Sequence, residues 1–241
     1  MENALYMDDS YLKEFEAVVE SVKDDKYVIL SQTAFYPLGG GVSYDTGALI
    51  KNNEEKSNEE FPVVYVGKFD NKISHEISKS GLKAGDKVTG KINWERRYKL
   101  MRLHTTAHLL ASIFHNNGNV LITGNQIEQD KSRMDFSLEN FDRSLIDKYF
   151  NMANELAQKD APVKISYMDR EEALKIPDMV KLANKMPPDV ETLRIVEIEG
   201  IDKQADGGCH VKSLKEIGKI ELIKLENKGK SNRRVYFDVG N

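Results

Sequence analysis

The sequence predicts an α+β chain in two parts. A small N-terminal β-barrel occupies residues 1–93, and a domain of helices beside a mainly antiparallel sheet occupies residues 94–241. Three observations lead there. Segments rich in β-branched and aromatic residues, bounded by Gly, Asp and Asn, recur through the first ninety positions. Apolar residues fall at helical spacing from Trp94 onward. Farther along, strand-like and helix-like stretches alternate, and no internal repeat is visible.

Taken in order, Tyr27-Val28-Ile29-Leu30, Phe61-Pro62-Val63-Val64-Tyr65-Val66 and Lys87-Val88-Thr89-Gly90-Lys91-Ile92 read as strands, and their spacing suggests the barrel. Between the first two lies Thr33-Ala34-Phe35-Tyr36-Pro37-Leu38-Gly39-Gly40-Gly41, followed by Asp45-Thr46-Gly47. Asn52 to Glu60 is polar throughout and reads as an exposed hairpin loop. Leu100, Leu103, Ala107, Leu110, Ala111 and Phe114 form a helical stripe that Asn116-Asn117-Gly118 ends. Val120-Leu121-Ile122 and Arg133 to Leu138 read as strands. A helix follows from about Asp142 to Asp160, with Leu145, Phe150, Ala153 and Leu156 on one side, then a strand at Val163 to Tyr167. Asp169 is placed to cap a short helix. Leu193 to Ile198, Ile217 to Leu225 and Arg234 to Val239 complete the strands.

Composition excludes several classes. The chain is 40% hydrophobic and 31% charged, with no run approaching the roughly 20 apolar residues that cross a bilayer. Met1 to Asp8 carries acid where a secretory leader carries base, so a cytoplasmic location is expected. A single cysteine excludes an internal disulfide framework. The net charge of −4 argues against a protein that coats nucleic acid nonspecifically, yet leaves room for a local basic groove. Basic residues do cluster, at Arg96, Arg97, Lys99 and Arg102, and again at Lys228, Lys230, Arg233 and Arg234. Each cluster reads by default as a solvated face.

The chemistry gathers in two places. His104 and His108 stand four apart on the predicted helix, which stacks both imidazoles on one face within reach of one ion. Alone this is a weak signal, because a helix often carries two unrelated histidines. The second cluster, Asp206-Gly207-Gly208-Cys209-His210-Val211, strengthens it with paired glycines beside polar groups. His210 is its firm candidate ligand. The fourth position stays open: spacing favours Asp206 or a water, whereas softness favours Cys209. Three protein ligands and an open position describe catalytic zinc. No Glu stands as in His-Glu-x-x-His, which excludes that protease arrangement.

Together these residues resemble the free-standing alanyl-tRNA editing proteins of the AlaX type, in their medium-length form, and the editing domain of alanyl-tRNA synthetase. That family carries His-x3-His on a helix and Cys-x3-His in a later loop of the form C-x-G-T-H-V. His104 and His108 match the first. The later cluster matches the second, with Asp206 at the usual Cys position and Cys209 at the usual Thr position. The glycine-rich run also matches, with Val42 where the family usually has Gln. Trp94-Glu95-Arg96-Arg97-Tyr98, Arg133-Met134-Asp135-Phe136 and Lys215-Glu216-Ile217-Gly218 match as well. The likeness spans nearly the whole chain in order, and nothing resembles the synthetase's ATP-using core.

The resemblance implies a deacylase acting in trans on tRNA(Ala) mischarged with serine, glycine being a second candidate. It implies one Zn2+ per chain, held by His104, His108, His210 and Asp206, with Cys209 the alternative ligand. The protein is taken as a monomer that meets the tRNA acceptor end and no membrane. Thr33, Gly40 and Arg234 are the implied substrate-binding residues. Thr33 would pair with the serine hydroxyl, and Arg234 with Lys228, Lys230 and Arg233 would grip phosphates. Glycines 39–41 permit a sharp turn, since the Gly-Lys-Ser/Thr of a phosphate loop is missing after them. Three rivals follow from the same residues: a noncatalytic tRNA-binding module with structural zinc, a metallohydrolase for another ester or amide, and a threonyl-type editing role.

Overall fold

Side-chain alternation builds the first part of the chain. The computed structural model describes residues 3–51, 58–139, 142–176, 179 and 189–240, so Met1, Glu2 and most of the polar loop read at Asn52 to Glu60 lie outside the described residues. In β1 (Glu14–Lys23), Phe15, Ala17 and Val19 are buried while Glu14, Glu16 and Glu20 are exposed. β2 (Tyr27–Leu30), β3 (Gly47–Lys51), β4 (Glu59–Phe69), β5 (Lys72–Ile77) and β6 (Lys87–Ile92) join it in a closed antiparallel barrel of order β1-β2-β5-β4-β3-β6. The tight hairpin between β4 and β5 turns on Asp70 and Asn71, both at positive φ, as a type I′ turn requires. Inside lies an apolar core that includes Phe15, Phe35, Leu49, Phe61, Val66 and Ile77.

The sequence reading finds three of these six strands. β1 is disguised by glutamates on its outward face, and β5 buries Ser74 and His75 where an apolar alternation would be expected. His75 is fully buried beneath the glycine-rich run. Its Nδ1–H donates to the Val28 carbonyl (3.0 Å) and its Nε2 accepts from the Thr33 hydroxyl (2.8 Å). That hydroxyl in turn accepts from the Phe35 amide at 3.1 Å.

The compact unit around the barrel spans residues 1–99, and a second spans 100–241. The long helix α1 (Trp94–Gly118) begins in the first and continues in the second. The second unit adds β7 (Ile122–Gln126), β8 (Ser132–Phe136), α2 (Arg143–Ala157), β9 (Val163–Asp169), α3 (Arg170–Ala173), β10 (Thr192–Ile198), β11 (Asp202–Ala205), β12 (Ile220–Asn227) and β13 (Arg233–Val239). These strands make two antiparallel sheets, β12-β13-β8-β7 and β11-β10-β9. Asp142 caps α2 by accepting from the Ser144 and Leu145 amides, and the helix buries Ile146, Tyr149, Phe150 and Ala153. Asp169 caps α3 in the same way.

Two strands start later than the sequence suggests. Ile217 closes a 3-10 turn (Leu214–Ile217) held by a Ser213–Glu216 capping box, so β12 begins at Ile220. Val120 and Leu121 precede β7, which begins at Ile122. β11 goes unread because Asp202-Lys203-Gln204 carries no apolar alternation. Among the described residues no helix is long and apolar enough to cross a membrane.

His75 yields a test of the barrel. Burial drives its pKa from the ordinary 6.5 down to about 4. The folded chain therefore holds His75 neutral, whereas the unfolded chain protonates it below 6.5. Stability from this source is complete above that pH and is lost as pH falls toward 4. Urea unfolding should show the native protein losing about 2 kcal/mol more than His75→Gln between about pH 7 and pH 5.

Candidate metal centre

From Leu100 to Phe114 helix α1 is buried on every side. Each polar side chain along it consequently needs a partner. Thr105 and Thr106 donate back to the Met101 and Arg102 carbonyls, at 2.9 and 2.8 Å. Ser112 donates to the Ile201 carbonyl at 2.6 Å. Arg102 donates to the carbonyls of Ile217 and Gly240 and so pins the 3-10 turn and the end of β13. The remaining two, His104 and His108, face the turn that follows β11.

That turn brings Asp206 and His210 to them. One ligand atom from each of His104, His108, Asp206 and His210 lies within 4.8 Å of the other three. Asp206 Oδ1 is 3.1 Å from His210 Nε2, and Oδ2 is 3.6 and 3.8 Å from the Nε2 atoms of His104 and His108. Donors about 2.1 Å from one ion in a tetrahedron stand about 3.4 Å apart, so the separations fit a shared cation.

The opposite ring nitrogens decide the tautomers. His104 Nδ1–H points to the Cys209 carbonyl (3.4 Å) and His108 Nδ1–H to Asp202 Oδ2 (3.1 Å). The Thr105 hydroxyl has spent its proton on Met101, so at 3.1 Å it accepts from His210 Nδ1–H. All three rings thus aim Nε2 at the Asp206 carboxylate, with their far sides fixed as in ligating histidines. Gly208 is required here: a Cβ would press on the His104 ring, 2.7 Å from Nδ1. Its amide instead donates to Asp206 Oδ1 at 2.6 Å.

The charges differ sharply around the cluster. Burial lowers the His104 pKa to about 4, and burial with the neighbouring His104 charge takes His210 well below its usual value. Burial opposes the charge on His108 too, but hydrogen bonds to Asp202 and Asp206 outweigh it and hold the pKa at about 9. Burial would raise the Asp206 carboxyl, yet the surrounding histidines keep it well below the usual carboxylate range. The cluster sets one ionised carboxylate among a protonated and two neutral imidazoles and is able to hold a divalent metal ion in place of that proton.

Comparison with known proteins gives the family. Residues 5–96 match the model for class II (A) tRNA synthetases, and residues 193–236 match the model for the second additional domain of threonyl and alanyl tRNA synthetases. The chain is 49% identical to the alanyl-tRNA editing protein AlaX-M of Methanosarcina barkeri over 99% of each chain. It has the same identity, again over 99% of each, to the AlaX-M protein of Saccharolobus solfataricus. The chain belongs to the AlaX-M alanyl-tRNA editing family. It is also 36% identical to the alanine–tRNA ligase of Saccharolobus islandicus over 92% of this chain, which is 25% of that protein.

The residues singled out by the AlaX-M resemblance fall in different settings. His104, His108, His210 and Asp206 converge. Cys209 is buried and contributes its carbonyl, while its sulfur is not among the converging atoms. Thr33 lies in the barrel unit, bonded to His75 and Phe35 as described. Gly40 and Gly41 adopt φ of 60° and 81° in a tight turn closed by Val42 N–H to the Gly39 carbonyl at 2.9 Å. Arg234 holds Asp135 with Nε and Nη2, at 2.7 and 2.8 Å.

The two basic clusters are not solvated faces throughout. Arg97 and Arg102 are buried, and Arg233 is buried too, donating to the carbonyls of Glu139, Gly229 and Asn232 and to Asn227. Lys228 sits 3.1 Å from Glu226. Asp202, Thr105 and Arg194 escape the sequence reading, since nothing in their spacing marks them. Arg194 is buried and donates to the Asp206 carbonyl at 2.8 Å, while the Asp206 amide donates back at 3.0 Å.

Asp202 offers the sharpest check on this geometry, because it holds His108 while Gln204 Nε2 holds it from behind at 2.9 Å. Asp202→Asn should lower metal affinity about 10- to 100-fold, measured by chelator competition, with the far-ultraviolet circular dichroism unchanged. Equal affinity in both proteins would show that the carboxylate does not orient the ring.

Proposed function

We propose that this chain is a trans-acting deacylase for tRNA(Ala) mischarged with serine, with glycyl-tRNA(Ala) as a second substrate, and that its cofactor is zinc. The observation that carries the reading is the four-donor cluster within a chain that is 49% identical over its length to alanyl-tRNA editing proteins. In this reading residues 94–241 form the deacylase domain, and residues 1–93 form a barrel that carries Thr33. His104, His108, His210 and Asp206 hold the cation, while Asp202, Thr105 and the Cys209 carbonyl keep the three rings aimed. When bound, the cation supplies Lewis-acid polarisation to the hydrolysis of an ester.

Proofreading has a physical origin. A pocket shaped for a methyl group cannot strongly reject a smaller residue or one that only adds a hydroxyl, so a second site must recognise the error. Thr33 supplies suitable chemistry. Its hydroxyl donates to His75 and accepts from the Phe35 amide, which leaves one acceptor lone pair to receive a serine O–H. Arg234, Lys228 and Lys230 are assigned to phosphates of the acceptor end, where binding should weaken with salt. Arg233 drops out of that group, because its guanidinium is enclosed by backbone carbonyls.

A second reading keeps the cation structural, within a noncatalytic tRNA-binding module. The fourth donor, Asp206, favours it, because closed four-ligand sites are characteristically structural. The donor chemistry weighs the other way, since structural sites are built largely from cysteine.

Assays of seryl-, glycyl- and alanyl-tRNA(Ala), with metal content measured alongside, separate these readings. The editing reading expects rapid seryl release with the alanyl ester spared, and a loss of roughly 100-fold or more in His104→Ala. Thr33→Val should cost the seryl ester about ten-fold and leave the alanyl background unchanged. Equal hydrolysis of all three esters would remove proofreading. Absence of hydrolysis, with a chelator lowering the melting temperature, would establish the structural site.

A further inference from the structure

We infer that the metal centre of this chain is thiolate-free and therefore takes ferrous, manganous or cobaltous ions as well as zinc. The inference rests on the metal-centre reading above. The converging atoms are three imidazole nitrogens and a carboxylate, with no sulfur among them. Soft thiolate ligands favour zinc, whereas imidazole with carboxylate is the donor chemistry of ferrous and manganous sites as well.

Asp206 adds a second argument. Both of its oxygens belong to the cluster: Oδ1 lies 3.1 Å from His210 Nε2, and Oδ2 lies toward His104 and His108. A carboxylate held this way can give one bond or two, so the coordination number can rise above four. A single sulfur offers one bond. Ions that prefer five or six ligands are accommodated where a thiolate site would resist them.

Cys209 is kept out by its own backbone. Its carbonyl receives His104 Nδ1–H, and the next residue directs its imidazole into the cluster. The Cys209 sulfur is accordingly not among the converging atoms. Delivering the sulfur would turn the peptide over and break the bond to His104. It would also disturb the Val211 amide, which donates to Thr105 Oγ1 at 3.3 Å.

The test uses the full chain, stripped with a chelator and reloaded with Co(II). The unsubstituted protein should show visible d–d bands without a near-ultraviolet sulfur-to-cobalt charge-transfer band, and Cys209→Ser should give the same spectrum. Asp206→Cys should gain the charge-transfer band. In competition dialysis with Fe(II), Mn(II) and Co(II), that variant should shift the preference toward zinc on the order of ten-fold. A charge-transfer band in the unsubstituted protein that disappears in Cys209→Ser would overturn the inference, as would a zinc preference equal to that of Asp206→Cys. If Asp206→Cys does not fold, the first two spectra still decide. Failure of every ion to bind would remove the metal centre itself, whereas a thiolate band would remove this inference alone.

Discussion

A helix without a solvent face sets the terms for the second unit. Because α1 is enclosed from Leu100 to Phe114, every polar group on it must be matched inside the protein or cost its desolvation. The threonines and the serine are satisfied by carbonyls, which ask nothing unusual of the fold. Imidazoles are harder to satisfy, since a neutral ring brings one donor and one acceptor on opposite sides. The donors of His104 and His108 are matched by a carbonyl and a carboxylate. Their Nε2 atoms are then left facing the loop of Asp206 and His210. The cluster follows from that requirement as much as from the ligand types themselves. Thr105 serves both demands: it closes on its own helix and orients His210 from across the site.

A comparable constraint organises the barrel unit. The Arg97 guanidinium is 1% exposed, and its bonds to Asp45, Ser10 and Ala34 lie within that unit. It holds Asp45 through Nε and Nη2 and donates to the carbonyls of Ser10 and Ala34. Asp45 in turn accepts from the Tyr36 amide at 2.6 Å. A buried ion pair of this kind contributes little net stability, because desolvation offsets the attraction, but breaking it by removing one partner is costly. Its consequence is positional. The glycine-rich run is fixed at Ala34, Tyr36 and Asp45, so the turn at Gly40 is presented from an anchored base.

This accounts for what could be read from the sequence. The helix, the capped starts of α2 and α3 and the two ligand clusters were visible because their signals are local: an i, i+4 spacing, an Asp before a helix, glycines beside polar residues. Arg97, Arg102 and Arg233 look solvent-facing in the sequence because a guanidinium reads the same whether it meets water or buried carbonyls. Asp202 was invisible for a related reason: its partner His108 is 94 positions away. β5 went unread because the barrel buries a histidine there, and a buried histidine breaks the apolar alternation that marks a strand. That Asp206 and not Cys209 joins the converging atoms depends on peptide orientation, which spacing constrains only loosely.

Peptide orientation also bears on the charge the site requires. Asp206 is ionised, and Asp202 accepts from both His108 and Gln204, as a carboxylate does. Against these two negative charges stands the buried Arg194 guanidinium, with two of the three imidazoles neutral. One positive charge is still needed for balance, and a proton on His108 supplies it. A divalent cation held by the cluster would take the place of that proton, because it needs the same Nε2 lone pair, so proton and cation would compete for one nitrogen. Had Asp202 been a neutral acceptor, His108 would bind a cation without this competition, but the cluster would lose half the charge that draws the ion in.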